Sequence, residues 1–361
     1  SSSLRGMIRL VIWLVELLLM KKRFIEHVPT KESCWRSIVL MGRNVASYKF
    51  ALAKSLIELA NQNKTFIPMD ELAKPFSRNL CKHLKISDKQ ITSKSSKYLD
   101  VCNKFNRNEI GESDLIEQTT RLGFVNVIDA FHVVNRDQIP IRFFDDNRKS
   151  EKGITLTDEF FKLAQSGQFK NLPNEVEARW RLVETAWKLN ISSNLISVDY
   201  DEQGQLLYVK QNDFERTNIT SSRNALNGYQ KGKCFYCFDD ISISEKDDDL
   251  ADVDHFFPHT LKQFGVIKNI DGIWNLVLAC KNCNRGQRGK FERVPKINYL
   301  KRLNTRNNFL ISSHHPLRET LLLQTGVNDE ERHDFLNSCY REAKNSLIHT
   351  WKPEYEHEPV F

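Results

Sequence analysis

Two Cys-x-x-Cys pairs, Cys234 with Cys237 and Cys280 with Cys283, have the spacing of metal ligands. Two intervening residues let both sulfurs of a knuckle reach one ion, and four thiolates close a tetrahedral zinc site, leaving no position for a substrate. The pattern therefore predicts a structural Zn²⁺. The segment between the knuckles is longer than a plain zinc ribbon needs, and it carries a second group of reactive residue types. These are Asp252-Val253-Asp254-His255-Phe256-Phe257-Pro258, then Ile273-Trp274-Asn275-Leu276-Val277-Leu278-Ala279, and after the last cysteine Asn284-Arg285-Gly286. A neutral imidazole can accept a proton near pH 7. Carboxylate and amide oxygens suit a hard cation such as Mg²⁺, which takes few protein ligands and keeps several waters.

Read in order, Cys-x-x-Cys, Asp-x-Asp-His-x-x-Pro and Trp-Asn-Leu-x-x-Ala-Cys-x-x-Cys-Asn, the string resembles the HNH endonucleases, a family with a ββα-metal fold and zinc knuckles. The resemblance runs from Cys234 to Lys290 and joins several motifs in the family's order. It implies metal-dependent hydrolysis of phosphodiester bonds, with DNA as substrate and restriction or anti-phage defence as the setting. That reaction needs a base for the attacking water and a cation for the charge on the phosphate and leaving oxygen. By the resemblance His255 is the general base, and Asp254 and Asn284 hold Mg²⁺ or Mn²⁺. Asn275 stands where family members hold the loop that carries the base. Arg285, Arg288 and Lys290 are the phosphate contacts, although the family's usual lysine soon after the Asn is displaced here by Arg285-Gly286-Gln287-Arg288-Gly289-Lys290. Asp252 and His259 are expected to support the site rather than ligate.

Other readings compete. A non-catalytic zinc-ribbon module that binds nucleic acid needs the cysteines but has no use for Asp254, His255 and Asn284 together. A nuclease subunit silent until it meets a partner, such as an ATPase, is a family-level expectation, and so is pairing into a homo-oligomer. The stretch from Gly42 to Leu52 reads like the N-terminal part of bacterial HNH proteins, some of which resemble defence nucleases. Asp247-Asp248-Asp249 is read as a solvated loop, and His314-His315 before Pro316 as a cap or turn.

The chain that must position these residues has 361 of them, enough for two domains. Apolar residues make up 40% and charged residues 27%, ordinary values for a globular protein with a core. The net charge of +7 is compatible with a polyanionic partner without showing one. Its distribution says more. Arg285, Arg288, Lys290, Arg293, Lys296, Lys301, Arg302 and Arg306 face a single acid, Glu292, and would attract a phosphate backbone. Cys34, Cys81, Cys102 and Cys339 stand apart from the knuckles and are read as small buried hydrophobes. Residues 10–19 form an apolar run interrupted by Glu16, too short to cross a bilayer and followed by Met20-Lys21-Lys22 instead of a cleavage site. The reading is a cytoplasmic protein with no membrane span.

Periodicity fills in the elements. Residues 32–84 are helical, with Val45, Tyr48, Leu52, Leu56 and Leu59 on one face. Residues 87–103 are a loop or an exposed helix, and residues 124–134 and 139–144 are strands or short buried helices. Thr157-Asp158 caps a helix, Val176, Trp180, Val183 and Trp187 mark another, and residues 195–200 and 206–209 form a hairpin through Glu202-Gln203-Gly204. Residues 221–229 are a short helix, and helices follow from Tyr299 and from Asp329. The expected architecture is α+β, with residues 1–19 as an extension and 20–213 as a mostly helical domain for target recognition or regulation. Residues 214–296 form the nuclease module and 297–361 a helical C-terminal cover.

Overall fold

The computed structural model covers the chain, and the residues described are 30–40, 44–62, 64–134, 136–189, 198–210, 216–313 and 315–361. The N-terminal apolar run, Gly42-Arg43, residues 195–197 and His314 lie outside them. The fold is α+β, about half helical with small sheets. Among the described residues no helix is long and apolar enough to cross a membrane.

Two apolar cores share one wall, the helix Leu172–Lys188. Its Val176, Trp180, Val183 and Trp187 recur at three- and four-residue steps and enter the first core, while Leu182 and Ala186 on the other side enter the second. Around the first core stand Lys31–Leu40, Tyr48–Ala60 and Met69–Leu84, joined by an antiparallel sheet in which Gly153–Leu156 lies between Phe66–Pro68 and Phe144–Asn147. The helix Lys97–Asn106 occupies the stretch expected to be a loop or an exposed helix. It buries Tyr98, Leu99 and Cys102, because its apolar residues share one face despite a lysine-rich approach. Thr157 caps Asp158–Ala164 by accepting from the Phe160 amide at 3.3 Å.

Charged groups brace this wall. Arg36 donates two 2.8 Å bonds to Glu175, and Glu175 also accepts from Asn227 at 2.9 Å, which ties the first core to the second. His83 stacks on Trp180 and reaches Glu184 at 2.9 Å and Glu177 at 3.2 Å.

The second core is built on a two-stranded antiparallel pair, Asp252–His255 against Leu276–Ala279, with Leu276 opposite His255 and Val277 opposite Asp254. All four residues of the second strand are buried, so it reads as a continuous apolar run instead of an alternation. The short helix Lys281–Arg285 follows directly. Ser222–Gln230, Ile297–Ser312, Arg318–Thr325 and Asp329–Ser346 pack around the pair. The anticipated hairpin is present as a three-stranded sheet of Asp199–Asp201, Leu206–Lys210 and Arg216–Ser221, with Glu202 in its first turn. All four isolated cysteines are buried, and none is in a disulfide.

Candidate metal centre and imidazole pocket

The four knuckle cysteines converge. Their sulfurs lie within 4.8 Å of one another, and Cys237 Sγ and Cys280 Sγ are 3.7 Å apart. Sulfurs held about 2.3 Å from one tetrahedral zinc stand about 3.8 Å apart, so the cluster fits that ion. Local backbone chemistry explains the convergence. The Phe238 amide bonds back to the Cys234 carbonyl at 3.0 Å, with Phe238 itself at φ 61°, which turns the first knuckle sharply. The thiol of Cys280 accepts from the Cys283 amide at 3.4 Å and so caps the helix that carries Cys283 and Asn284. Hydrogen bonding to the other three sulfurs, added to burial, holds the Cys283 thiol well above the usual range. Burial pushes the Cys234 thiol up as well, while hydrogen bonds from the neighbouring sulfurs hold Cys237 and Cys280 down, and a cation lets all four ionise together.

The surroundings hold the knuckle in place. Arg302 lies over the Phe238 ring at 4.2 Å and donates to the carbonyls of Phe235 and Tyr236 at 2.6 and 3.0 Å. The C-terminal tail arrives through the His357 amide, which bonds the Cys237 carbonyl at 2.8 Å, and Phe361 packs on Phe238.

Alternation along Asp252–His255 sends Asp252 and Asp254 to one face and His255 to the other. On the first face Asp254 is buried. Tyr236 Oη donates to its Oδ2 at 2.6 Å, and Lys290 Nζ stands 3.1 Å from its Oδ1. Burial raises the Asp254 carboxyl above its ordinary range, and Lys290 and Tyr236 pull it part of the way back. Asn284 donates to Asp252 Oδ2 at 3.0 Å, and Arg285 Nε reaches the same oxygen at 2.9 Å. Asp254 and Asn284 thus share a face but have different partners. A cation between them must displace the Lys290 ammonium.

Lys290, read from the sequence as a phosphate contact, is 0% exposed, and its Nζ also donates to the carbonyls of His255 at 3.0 Å and Phe291 at 3.3 Å. The assignment is corrected: this side chain is an internal strut. The loop 286–289 doubles back so that the Lys290 amide bonds the Cys283 carbonyl at 2.6 Å. Gly289 permits it, because a Cβ there would stand 2.9 Å from the Asn284 carbonyl oxygen. The same correction reaches part of the basic segment. Arg306 is buried against the carbonyls of Leu276 and Trp274, at 2.9 Å each, and Arg302 serves the knuckle. Arg285, Arg288, Lys296 and Lys301 remain toward solvent, Arg288 paired with Glu354.

On the second face His255 is 8% exposed. Burial pushes its pKa down to about 4, more than the nearby Asp271 carboxylate restores, so the ring is neutral at pH 7. Its Nε2 is 3.2 Å from Asp271 Oδ1, and His259 Nε2 is 3.2 Å from the same oxygen and from Glu202 Oε2. Asn275 anchors the loop after His255. Its Oδ1 accepts from the Phe257 amide at 2.8 Å, and its Nδ2 donates to the carbonyls of Phe257 and Ile270 at 3.0 and 2.8 Å. His315 takes the turn role, accepting from the Leu317 amide at 3.1 Å.

Sequence reasoning missed Tyr236, Asp271 and Glu202. Tyr236 sits inside the first knuckle, where its spacing from Asp254 gives no sign of contact. Asp271 and Glu202 are single acids in turns that only the tertiary fold brings to the imidazoles. Compared with known proteins, the chain matches no family model, no curated protein and no solved structure.

Proposed function

We propose that the chain is a metal-dependent nuclease of the HNH type, acting on DNA in restriction or anti-phage defence. The observation that carries the reading is His255: a buried, neutral imidazole whose Nε2 has no hydrogen-bond partner, at the end of a strand in a strand–strand–helix arrangement beside four convergent thiols. In that role it takes the proton of the water that attacks the phosphorus. Asn275 holds the loop that continues from the base, and the zinc centre holds the helix bearing Asn284. A hard divalent cation, when bound, stabilises charge on the phosphate and leaving oxygen. Asp254 and Asn284 have suitable donor atoms, but the fit is incomplete while Lys290 holds the carboxylate. A reducing, cytoplasmic setting belongs to this reading, since thiols in metal sites are kept reduced there.

The test is a cleavage panel on plasmid, phage genomic DNA, single strands and RNA with Mg²⁺ or Mn²⁺, run with wild type and His255→Ala in parallel. Wild type should cut at least one substrate, and the variant should lose cutting while it stays folded, with a cooperative unfolding transition well above the assay temperature. Cutting retained in the variant refutes His255 as the base. The Asp254–Lys290 pair also favours a second reading, a nuclease subunit inactive until a partner such as an ATPase shifts Lys290. Cleavage that appears only when the partner is added would select it.

A further inference from the structure

Three buried polar atoms on the imidazole face have no hydrogen-bond partner: His255 Nε2, His259 Nε2 and Asp271 Oδ1. Buried polar groups are nearly always satisfied, and three orphans in one place require an explanation. They are close together, since Asp271 Oδ1 stands 3.2 Å from each imidazole nitrogen. The separations are those of hydrogen bonds, yet the atoms do not aim at one another as donors and acceptors do. Ligands of a common centre behave in that way. Donors about 2.0–2.1 Å from a tetrahedral zinc are about 3.3 Å apart, which matches.

Glu202 completes a ligand set with His259 and Asp271, and His255 stands alongside it. Glu202 Oε2 is 3.2 Å from His259 Nε2, and the ligand atoms of Glu202, His259 and Asp271 lie within 4.8 Å of one another. The donors come from different elements. Glu202 is in the turn after Asp199–Asp201, His255 ends a strand, His259 opens the 3-10 turn His259–Phe264, and Asp271 sits in the loop before Trp274. Lys262 takes only the other oxygen of Asp271, Oδ2, at 2.6 Å, which leaves Oδ1 facing the imidazoles.

We infer that Glu202, His259 and Asp271 form a second cation site, distinct from the four-cysteine centre and beside His255, for a divalent transition-metal ion of the Zn²⁺ class. An imidazole nitrogen with carboxylate oxygens suits Zn²⁺, Co²⁺ or Ni²⁺, whereas Mg²⁺ prefers an all-oxygen shell with retained water. The consequence for activity rests on the proposed nuclease reading: an ion held by Asp271 Oδ1, 3.2 Å from His255 Nε2, sets positive charge beside the base and takes up its carboxylate neighbour, so this metal switches the base off.

The direct test is isothermal titration of the full chain, its cysteine zinc in place, with Zn²⁺, Co²⁺ and Mg²⁺, paired with metal content after desalting. Wild type should bind one further equivalent of Zn²⁺ or Co²⁺ but no Mg²⁺ at the same concentrations, and Co²⁺ there should lack the intense thiolate charge-transfer band. His259→Ala should weaken binding by at least about 100-fold, more than the loss of a group that merely orients a ligand. His259 and Glu202 are partly exposed, so His259→Ala and Glu202→Gln leave the core intact. A single zinc per chain in wild type, or both variants binding as wild type does, overturns the site. If the chain cuts nucleic acid, micromolar Zn²⁺ added over Mg²⁺ should inhibit wild type, and absence of inhibition despite a second bound zinc overturns the switching role. If it cuts nothing, the nuclease reading fails and the titration still decides the site.

Discussion

Replacing Lys290 with methionine tests the least expected part of the site, the buried ion pair with Asp254. Methionine keeps most of the length and apolar volume of the side chain but removes the charge. The carboxylate left behind is almost wholly enclosed and keeps one partner, Tyr236 at 2.6 Å. Removing one member of a buried pair costs about 3–5 kcal/mol, mainly because the other charge is stranded. Two carbonyls, of His255 and Phe291, also lose their donor. Urea unfolding of the zinc-loaded protein should therefore show Lys290→Met at least about 3 kcal/mol below wild type at pH 8. The pH dependence carries a definite sign. The folded Asp254 carboxyl already titrates above its unfolded value, and loss of Lys290 removes the largest influence pulling it down. A carboxyl raised on folding favours the folded state below its unfolded pKa, and that advantage is lost as pH rises through the folded pKa. The gap between variant and wild type should accordingly narrow as pH falls from 8 toward 5.5, by at most about 1.4 kcal/mol per pH unit. Lys290→Met with Asp254→Asn should recover much of the loss, because a neutral amide can keep a bond to Tyr236 without a stranded charge. A single-variant cost under about 1 kcal/mol, the usual value of an exposed pair, or a gap that does not move with pH, would refute the buried ion pair.

Other perturbations separate the two cores and their supports. Removing zinc with a strong chelator, or replacing Cys283 with serine, should unfold the second core first and split one unfolding transition into two by calorimetry; a single unshifted transition counts against a structural zinc. Asn275→Ala deletes three buried side-chain bonds, and at about 1 kcal/mol or more for each group left unsatisfied it should cost about 3 kcal/mol in denaturant unfolding. In the first core, hydrogen bonds to Glu177 and Glu184 outweigh burial and raise His83, while Glu177 is lowered to about 2. A histidine raised on folding contributes stability that is complete below its unfolded pKa, about 6.5, and lost as pH climbs through the higher folded value. Wild type should therefore lose stability above pH 6.5 that His83→Gln does not, and NMR titration of the His83 ring should give a midpoint above 6.5.

What the sequence disclosed depended on whether the signal was local. Cys234, Cys237, Cys280 and Cys283 were legible because ligand spacing is a property of a few adjacent residues. The helix Leu172–Lys188 was legible because periodicity alone reports an apolar face. Its second, opposite contact through Leu182 and Ala186 was hidden, since a helix between two cores needs both faces and periodicity announces the stronger one. The basic segment misled for a related reason. Formal charge is read as exposed charge, yet Lys290 and Arg306 spend theirs on internal carbonyls and one carboxylate. Charge runs predict an electrostatic surface only where the side chains leave the core, and no local pattern says which do. In residues 87–103 a helix was among the readings, but the lysines hid the buried side of Lys97–Asn106.

The strand Asp252–His255 separates two kinds of chemistry by one peptide. On one face carboxylates meet cations, Asp252 with Arg285 and Asp254 with Lys290; on the other, uncharged imidazole meets Asp271. Through space the Lys290 charge lowers the His255 pKa only slightly beside burial and Asp271. The more direct link is a hydrogen bond, because Lys290 Nζ also donates to the carbonyl of His255 itself. A ligand or partner that draws Lys290 off Asp254 therefore also releases the backbone that aims the imidazole. Lys290→Arg distinguishes the two routes. It keeps the charge but, with a bulkier planar head in a fully enclosed space, cannot keep both bonds. If the charge acts, the His255 titration shifts back in Lys290→Met and not in Lys290→Arg. If geometry acts, both variants disturb the His255 backbone amide and ring resonances alike, and wild-type-like resonances in either variant would break the link.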